Sequence, residues 1–510
     1  MLLTTAVWRA WLSFDWINTH DTGLMHYMAW LMDVHGYVPW RDVLDTSFPG
    51  SYLIHLWSGQ LFGFDSTGFR VADIAALCLL LLLAWHLLQP AGALVAFSAI
   101  SIYALHYYAN HSSLHFQRDY LALLPICAGL LLAQRSARFS HLALVGSGFC
   151  FAMAAAIKPQ LAAGLPVAWL YAAMLESPAI SFRRLSQLAA WMAMGFISCI
   201  VLIILWLYRI DAWPSFVEMT RNYLPIYLLP DESHRYSSSL ESFIYFLSHE
   251  AWHALISLIK SSLLYLVPAL AGCLWLWINN TDRTSRLLVL MLLAMMLAGM
   301  LSNFMGFRQW AYHAMPFAFF SLLCGALIFQ PVSTANAPLW QKCYAVLFRC
   351  LFLLMLLFTQ TIPQHLNFKG DSEGNAYQKK AADDLIVYMQ QHATSQQVNL
   401  SNEYAQPITW NSVGPILPVL QSLNLRIPTR FPECWVCHHE PADDRRANAY
   451  RQELLAALEK NPPRFIFADR FYKRLSAENP ASPFPALARW VDTHYRILYE
   501  TDYLLVYERR

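Results

Sequence analysis

The feature that most constrains the fold is a series of long apolar runs through the first 363 residues. A helix needs roughly 20 apolar residues to cross a bilayer, and flanking aromatic residues extend shorter runs. Hydrophobic residues make up 57% of the 510-residue chain and charged residues only 13%. A soluble domain cannot bury that much apolar surface, so the sequence predicts a polytopic α-helical membrane protein. The ten runs cover 71–88, 93–108, 119–133, 142–156, 160–175, 188–208, 261–278, 287–303, 311–329 and 346–362, and residues 2–18 form a shorter eleventh candidate.

The charged residues divide the chain into two parts. Residues 364–510 contain 17 Lys/Arg and 17 Asp/Glu, which is half of all charged residues in the chain. We therefore expect a transmembrane domain over 1–363 and a water-soluble domain over 364–510. In the second part, helix-like stretches at 376–392 and 450–460 and strand-like stretches at 464–468 and 495–507 predict a small α/β domain. The near-neutral net charge of +2 and the lack of a basic block argue against nucleic-acid binding.

Positive charges predict how the helices are oriented. The connections 134–141, 176–187, 279–286 and 330–345 each carry Lys or Arg. With ten spans from residue 71 onward, these connections share one side, which the positive-inside rule makes cytoplasmic. The opposite face then receives the outer loops 19–70 and 209–260 and the C-terminal domain. We expect that face to point to the periplasm or the cell exterior. In loop 19–70, residues 24–35 and 49–62 predict amphipathic helices on the membrane surface.

The outer face also collects polar motifs in a characteristic order. The first loop contains Asp21-Thr22-Gly23, Gly36-Tyr37-Val38-Pro39-Trp40-Arg41-Asp42, Asp45 and Pro49-Gly50-Ser51-Tyr52, and later outer positions are Arg118-Asp119, Lys158-Pro159 and Arg308 to Pro316. Together these motifs resemble the GT-C superfamily of membrane glycosyltransferases, typified by protein O-mannosyltransferases and lipid A aminoarabinose transferases. The resemblance covers nearly the whole chain. It departs from the family's Asp-Glu-Gly pattern at Thr22, which replaces the second acid.

The resemblance implies a transfer, with inversion, of a sugar from a polyprenyl-phosphate donor to the hydroxyl of a lipid, glycan or protein acceptor. It also implies a bacterial inner-membrane location. Such chemistry needs a carboxylate to accept the hydroxyl proton and cations to stabilise the departing phosphate. The implied base is Asp21, and the implied donor-phosphate or substrate contacts are Lys158, Arg308, Arg118, His313 and Tyr312. Because Thr22 replaces the second acid, a site with a divalent metal and a site without one are both open alternatives. No metal ligands and no other cofactor are assigned.

Each of these residues also has a structural interpretation. Asp21 would cap a helix that begins at residue 24, and Lys158 would be an interfacial lysine that reaches toward water. Arg308 and His313 would be anchors at the end of a span. We interpret Arg41, Asp42 and Asp45 as substrate contacts or as partners of one another in the loop, and Asp119 as a substrate contact or a partner of Arg118.

Two other functions explain the spans as well as an enzyme does. A transporter or flippase for lipid-linked saccharides would show an internal repeat and polar residues at mid-membrane, whereas the polar residues here collect at one face. A protein that only binds lipid-linked saccharides would tolerate the replacement of the second acid by Thr22.

The segment from Cys434 to His438 has the C-x-x-C-H spacing of covalent haem attachment. On an oxidising face of the membrane, a disulfide between Cys434 and Cys437 is the favoured interpretation. A zinc site that adds His438 and His439, a haem, or two free thiols are the alternatives.

Overall fold

The computed structural model describes a chain that is mostly helical, with a small sheet near the C-terminus. This architecture confirms the predicted fold class, a polytopic helical protein with a small C-terminal α/β part. The described residues are 2–18, 20–177, 181–228, 251–280, 282–305, 311–331, 339–356, 362–408, 414–440, 443–469, 482–501 and 504–510.

The helices follow the apolar runs of the sequence closely up to residue 356. In chain order they are α1 (Leu2–Leu12), α2 (His20–His35), α3 (Pro49–Phe62), α4 (Ser66–Leu87), α5 (Ala93–Tyr107), α6 (Arg118–Leu121), α7 (Leu123–Gln134), α8 (Ser136–Ile157), α9 (Leu165–Glu176), α10 (Phe182–Arg209), α11 (Trp213–Glu218), α12 (Leu224–Leu228), α13 (Ala251–Asn279), α14 (Arg283–Met305), α15 (Met315–Ala326) and α16 (Leu339–Leu356).

Several of these helices have the length and composition of membrane spans. Among the described residues, four segments are long and apolar enough to cross a bilayer: Ser66–Leu87, Phe182–Arg209, Arg283–Met305 and Ala311–Phe329. Shorter apolar helices cover Ala93–Tyr107, His141–Ile157 and Tyr265–Asn279. The run 2–18 contains only the 11-residue α1 and a short 3-10 turn. That helix is shorter than the roughly 20 residues that a span requires.

Small residues allow α8 and α10 to pack with their backbones in contact. A Cβ atom on Gly148 would lie 1.9 Å from the carbonyl oxygen of Met192, and one on Gly195 would lie 1.8 Å from that of Val145. Apolar helices in a bilayer gain little from burying apolar surface, so close backbone approach is a main source of their association. This contact fixes α8, whose last residue directly precedes Lys158.

Helix α2, which was predicted to lie on the membrane surface, is buried inside the protein over most of its length. Every residue from Thr22 to Leu31 is buried. The Tyr27 hydroxyl donates a hydrogen bond to the Leu425 carbonyl oxygen at 3.2 Å. The covering segment lies 398 positions later in the chain, so the local pattern of the helix could not reveal it.

A network of buried charged residues joins α4 to the loop that follows α5. Asp73 lies 3.6 Å from Arg70 Nη1 and 3.2 Å from His115 Nδ1, and it accepts a hydrogen bond from the Tyr107 hydroxyl. That hydroxyl accepts a bond from the Phe116 amide at 2.9 Å. Phe116 has a φ of 57°, a region that bulky residues rarely occupy. The network therefore holds the backbone just before Arg118 in an unusual conformation.

Replacing Asp73 with alanine is expected to lower the free energy of unfolding by about 3–5 kcal/mol, because a buried cation loses its counter-charge. Thermal unfolding of the purified protein in detergent measures this effect. The matched control is Asp33→Ala. The Asp33 carboxylate accepts an exposed hydrogen bond from Gln60 Nε2 at 2.7 Å, and its removal should lower the free energy of unfolding by about 0.5 kcal/mol or less. Equal losses in the two variants would show that the Asp73 network does not stabilise the fold.

The C-terminal part forms one four-stranded sheet flanked by helices. The strand order is β1-β2-β4-β3, with β1 parallel to β2 and the other pairs antiparallel. The strand-like stretch 495–507 is in fact part of two antiparallel strands that pair with each other, and β1 was not expected from the sequence. The elements are α17 (Ile362–Ser395), β1 (Ala405–Ile408), α18 (Ile416–Ser422), α19 (Trp435–His439), α20 (Arg445–Lys460), β2 (Phe465–Asp469), α21 (Pro485–His494), β3 (Tyr495–Glu500) and β4 (Leu504–Arg509).

Candidate active site

Asp21 lies in the first turn of α2, so it does not cap a helix that starts at residue 24. The preceding residue, His20, has a φ of 65°, which turns the chain sharply into the helix. Gly23 permits this entry, because a Cβ atom there would lie 2.8 Å from the Asn18 carbonyl oxygen. The carboxylate of Asp21 remains about a quarter exposed, and it faces a cleft.

Cationic and hydrogen-bonding groups surround the Asp21 carboxylate. His20 Nδ1 lies 3.3 Å from one carboxylate oxygen, and Arg118 Nη2 lies 3.7 Å from the other. Burial raises the pKa of Asp21, but His20, Arg118 and a hydrogen bond from Tyr312 outweigh burial and bring that pKa below its ordinary value. The carboxylate is therefore ionised at neutral pH, which is the form that can accept a proton.

Arg118 opens the short helix α6, and its guanidinium is paired with the Asp21 carboxylate. Its Nη1 donates a hydrogen bond to the Ser47 hydroxyl at 2.9 Å. Burial lowers the pKa of Arg118, but the acidic groups of Tyr312, Asp21 and Asp45 raise it above the ordinary value overall. The guanidinium is permanently charged and suits the oxygens of a phosphate.

Lys158 is paired with Asp119, whereas the adjacent Arg118 was the partner of Asp119 expected from the sequence. The lysine ammonium donates directly to Asp119 Oδ1, and both side chains are nearly buried. Burial lowers the pKa of Lys158, and Asp119 offsets only part of that effect. Gly50 lets α3 pack on the end of α8 beside Lys158, since a Cβ atom there would lie 2.8 Å from the Ile157 nitrogen.

Of the remaining candidate residues of the first loop, Arg41 and Asp42 pair with each other away from the cleft, whereas Asp45 lines it. Arg41 binds Asp42 at 2.9 Å and Asp211 at 3.3 Å on an exposed surface, and Asp42 also accepts the Val38 amide at 2.8 Å. These contacts give Arg41 and Asp42 a role in loop structure. Asp45 accepts the Ser47 amide at 2.9 Å and also lines the cleft.

At the start of the segment 311–329, Tyr312 and His313 lie against each other with ring centroids 4.5 Å apart. Tyr312 lines the cleft, and His313 is buried behind it. Arg308, the other candidate from this region, lies outside the described residues.

The cleft has a volume of about 620 Å³ including its open mouth. It brings together residues from the first loop, the second loop, the segment after α10 and the C-terminal part. Four of the lining residues were not predicted from the sequence: Tyr223, Tyr227, Glu433 and Trp435. The many tyrosines of loop 209–260 are a signal that could have indicated Tyr223 and Tyr227. No local sequence pattern indicates Glu433. The full lining is His20, Asp21, Leu24, Met25, Asp45, Thr46, Ser47, Arg118, Tyr223, Tyr227, Tyr312, Glu433 and Trp435.

Thr22 and the two cysteines of the C-x-x-C-H segment each bond to other residues of the protein. Thr22 is buried, and its hydroxyl donates to Asn18 Oδ1 at 3.3 Å. Over the described parts of the chain, no group of three or more His, Cys, Asp or Glu side chains has an arrangement that could hold a metal ion. Cys434 and Cys437 are joined by a disulfide, with Cα atoms 5.2 Å apart.

The chemistry available in the cleft is that of an ionised carboxylate beside a fixed cation. A carboxylate accepts a proton from a hydroxyl, and a guanidinium stabilises negative charge on a leaving phosphate. The aromatic lining supplies flat surfaces with polar edges.

The middle of the chain matches the model of a known protein family. The model of glycosyltransferase family 87 matches residues 49–302, which include α3 to α10 and both Arg118 and Lys158. No curated protein matches the chain by sequence.

The chain is also similar to solved structures over almost its whole length. ArnT from Cupriavidus metallidurans in the apo state is 14% identical, with a TM-score of 0.56, over 99% of this chain and 96% of that one. The same protein bound to undecaprenyl phosphate gives the same identity and TM-score over 99% and 97% of the two chains. The Archaeoglobus fulgidus oligosaccharyltransferase is 11% identical, with a TM-score of 0.47, over 100% of this chain and 74% of that one. The likeness to ArnT shows a shared fold, and the family match adds the type of reaction. The chain is a membrane glycosyltransferase of the GT-C superfamily.

Proposed function

We propose that this enzyme transfers a sugar from a polyprenyl-phosphate donor to a hydroxyl of a lipid, glycan or protein acceptor. The observation that carries the proposal is the ionised Asp21 carboxylate 3.7 Å from Arg118 in an open cleft. The lipid carrier is supported by the ArnT structure, whose fold this chain shares and which holds undecaprenyl phosphate. Membrane lipids would accommodate the tail of the donor.

In the proposed reaction, the acceptor oxygen attacks the anomeric carbon of the donor sugar while Asp21 takes the hydroxyl proton. The bond between that carbon and the phosphate oxygen breaks, and the polyprenyl phosphate leaves with the electron pair. Arg118 stabilises the developing charge. We assign Tyr312 to orient Asp21. We assign the ion pair of Lys158 with Asp119 to hold α6, which begins with Arg118, against the end of α8. Attack opposite the leaving group gives inversion.

We further propose that residues 1–363 form the transmembrane domain and 364–510 a domain on the outer face. In a bacterium this face is the periplasmic side of the inner membrane. The connections that carry Lys and Arg would then be cytoplasmic.

Glycan and glycolipid profiling of cells tests the proposed reaction. Compared with wild type, a deletion strain and an Asp21→Asn strain should both lack one sugar from one envelope glycan. If the deletion instead accumulates an intact lipid-linked saccharide on the cytoplasmic face, with normal transfer in membrane extracts, the protein is a flippase. If neither strain changes any glycan, the transferase proposal is wrong.

Cysteine labelling tests the orientation. An Asp211→Cys variant places a thiol at a site whose side chain is 81% exposed, in the loop after α10. It should react with an impermeant maleimide added to intact spheroplasts. The matched control is Arg183→Cys, an exposed position at the other end of α10. In the proposed topology this position is cytoplasmic, so it should react only after lysis. The reverse pattern would invert the proposed topology.

A further inference from the structure

The segment that contains the disulfide forms one wall of the cleft. Glu433 and Trp435 line the cleft, whereas Cys434, Val436 and Cys437 are buried behind them. The Cys437 amide donates to the Cys434 carbonyl oxygen at 3.0 Å, in addition to the covalent bond between the two residues. Trp435 is therefore held in a small closed ring that presents its side chain to the cleft.

Charged residues fix this wall to the rest of the outer face. Arg430 Nη1 donates to Glu218 at 3.0 Å, and Arg430 Nε donates to Glu453 at 2.6 Å. The Leu44 amide donates to the Arg430 carbonyl oxygen at 2.6 Å. Behind the ring, Arg451 Nε donates to the Cys437 carbonyl oxygen at 3.1 Å. The C-terminal segment is thus attached to the first loop, to α11 and to α20.

The aromatic side chains of the wall come from two distant segments. The ring centroids of Trp435 and Tyr227 are 5.2 Å apart, at an angle of 76°. Tyr223 packs edge-on against Tyr450 at 5.0 Å, which places the tyrosine segment against the C-terminal part. Trp435 and Tyr227 form an angled pair of aromatic faces in the same cleft as Asp21 and Arg118.

This arrangement matches the chemistry of a sugar ring. One face of a pyranose carries several C–H groups that pack on an aromatic ring, while its edge carries hydroxyls. Carboxylates are hydrogen-bond acceptors for such hydroxyls, and Glu433 and Asp45 both line the cleft. A mostly aromatic wall with a few polar groups is typical of small-molecule sites.

We propose that Trp435 and Tyr227, with Glu433 and Asp45, form a saccharide-binding subsite of the cleft. This inference rests on the proposed function, because it assigns a sugar to the same cleft. It adds that the C-terminal segment itself contacts the sugar, so the disulfide ring is part of the substrate site. The sugar belongs to the donor or to the acceptor, and both present the same C–H face and hydroxyls.

Saturation-transfer NMR on the full-length protein in nanodiscs tests the subsite, with methyl α-glucoside, methyl α-mannoside and methyl α-galactoside as probes. At least one probe should bind to the wild type. Trp435→Ala should weaken that binding about tenfold or more, as truncation of a central aromatic contact does. Trp435→Phe retains an aromatic face and should stay within about threefold of the wild type. The matched control is Trp57→Ala on α3, a residue 50% exposed and outside the cleft, which should leave binding unchanged.

Binding of undecaprenyl phosphate to the same samples separates this inference from the proposed function. Trp435→Ala should retain the affinity of the wild type for the carrier, which also shows that the variant is folded. If the carrier binds but no glycoside does, or if Trp435→Ala binds glycosides normally, the subsite is wrong and the transferase proposal stands. If the wild type fails to bind the carrier, the lipid-linked donor of the proposed function is at fault.

Competition then identifies the source of the sugar. The competitor is undecaprenyl phosphate carrying the same sugar as the best-binding glycoside. Displacement by this compound but not by undecaprenyl phosphate alone assigns the subsite to the donor. Retention of the glycoside with both compounds assigns it to the acceptor. Displacement by the unglycosylated carrier would contradict a subsite that is separate from the phosphate.

Discussion

Replacing Asp21 with asparagine is expected to slow glycosyl transfer by about 10²- to 10⁴-fold, the usual contribution of a positioned acid or base. Asparagine has nearly the same shape but cannot take up a proton at neutral pH. The KM for the lipid-linked donor should change little, because the phosphate contacts come from Arg118. Transfer by the purified variant, with the acceptor identified by glycan profiling, gives both parameters.

Asp45→Asn is the matched control for Asp21→Asn. Asp45 lines the same cleft, but its carboxylate already accepts the Ser47 amide at 2.9 Å. Because Asp45 belongs to the proposed saccharide subsite, we expect its replacement to weaken sugar binding but to lower kcat much less than the replacement of Asp21. If Asp45→Asn causes the large loss and Asp21→Asn does not, the two carboxylates exchange roles. If both variants keep the rate of the wild type, neither Asp21 nor Asp45 is the base.

The sequence points to candidate site residues but not to the partners that these residues have in the structure. The order of the motifs and the distribution of positive charges together assign Asp21, Arg118 and Lys158 to one side of the membrane. The pairing of Lys158 with Asp119 was not predicted, because the two residues are 39 positions apart and the adjacent Arg118 is an equally good partner by charge. The partner of Asp119 depends on how α6 packs against the end of α8, which the sequence near either residue does not specify.

The C-terminal wall of the cleft could not be predicted for a similar reason. Trp435 is about 400 positions from Asp21, and nothing in its local sequence points toward the first loop. The same distance explains why α2 was expected on the membrane surface. Its apolar face fits a bilayer and a covering protein segment equally well. The four-residue β1 was missed since AQPI shows neither the alternation nor the length of a typical strand.

Replacing Arg118 with glutamine is expected to change both donor binding and the pH profile of transfer. A charge-assisted hydrogen bond to a phosphate contributes about 1.5–3 kcal/mol, so the KM for the donor should rise about 10- to 100-fold. Arg118 is also one of the charges that lower the pKa of Asp21 against the opposing effect of burial. Without the Arg118 charge, less remains to offset the rise in pKa that burial causes, so the pKa of Asp21 increases.

The sign of the pH effect follows from the role of Asp21 as a base. Only the ionised carboxylate accepts a proton, so activity is lost as the pH falls through the pKa of Asp21. In the wild type that pKa is lowered, and the loss occurs only in acid. In Arg118→Gln the acidic limb of the profile for kcat/KM should move to higher pH. Arg118→Lys retains the charge and should keep the limb close to that of the wild type, although its single ammonium cannot bind phosphate in a fork. An unchanged acidic limb in Arg118→Gln, alongside a raised KM, would mean that Arg118 binds the donor without controlling the base.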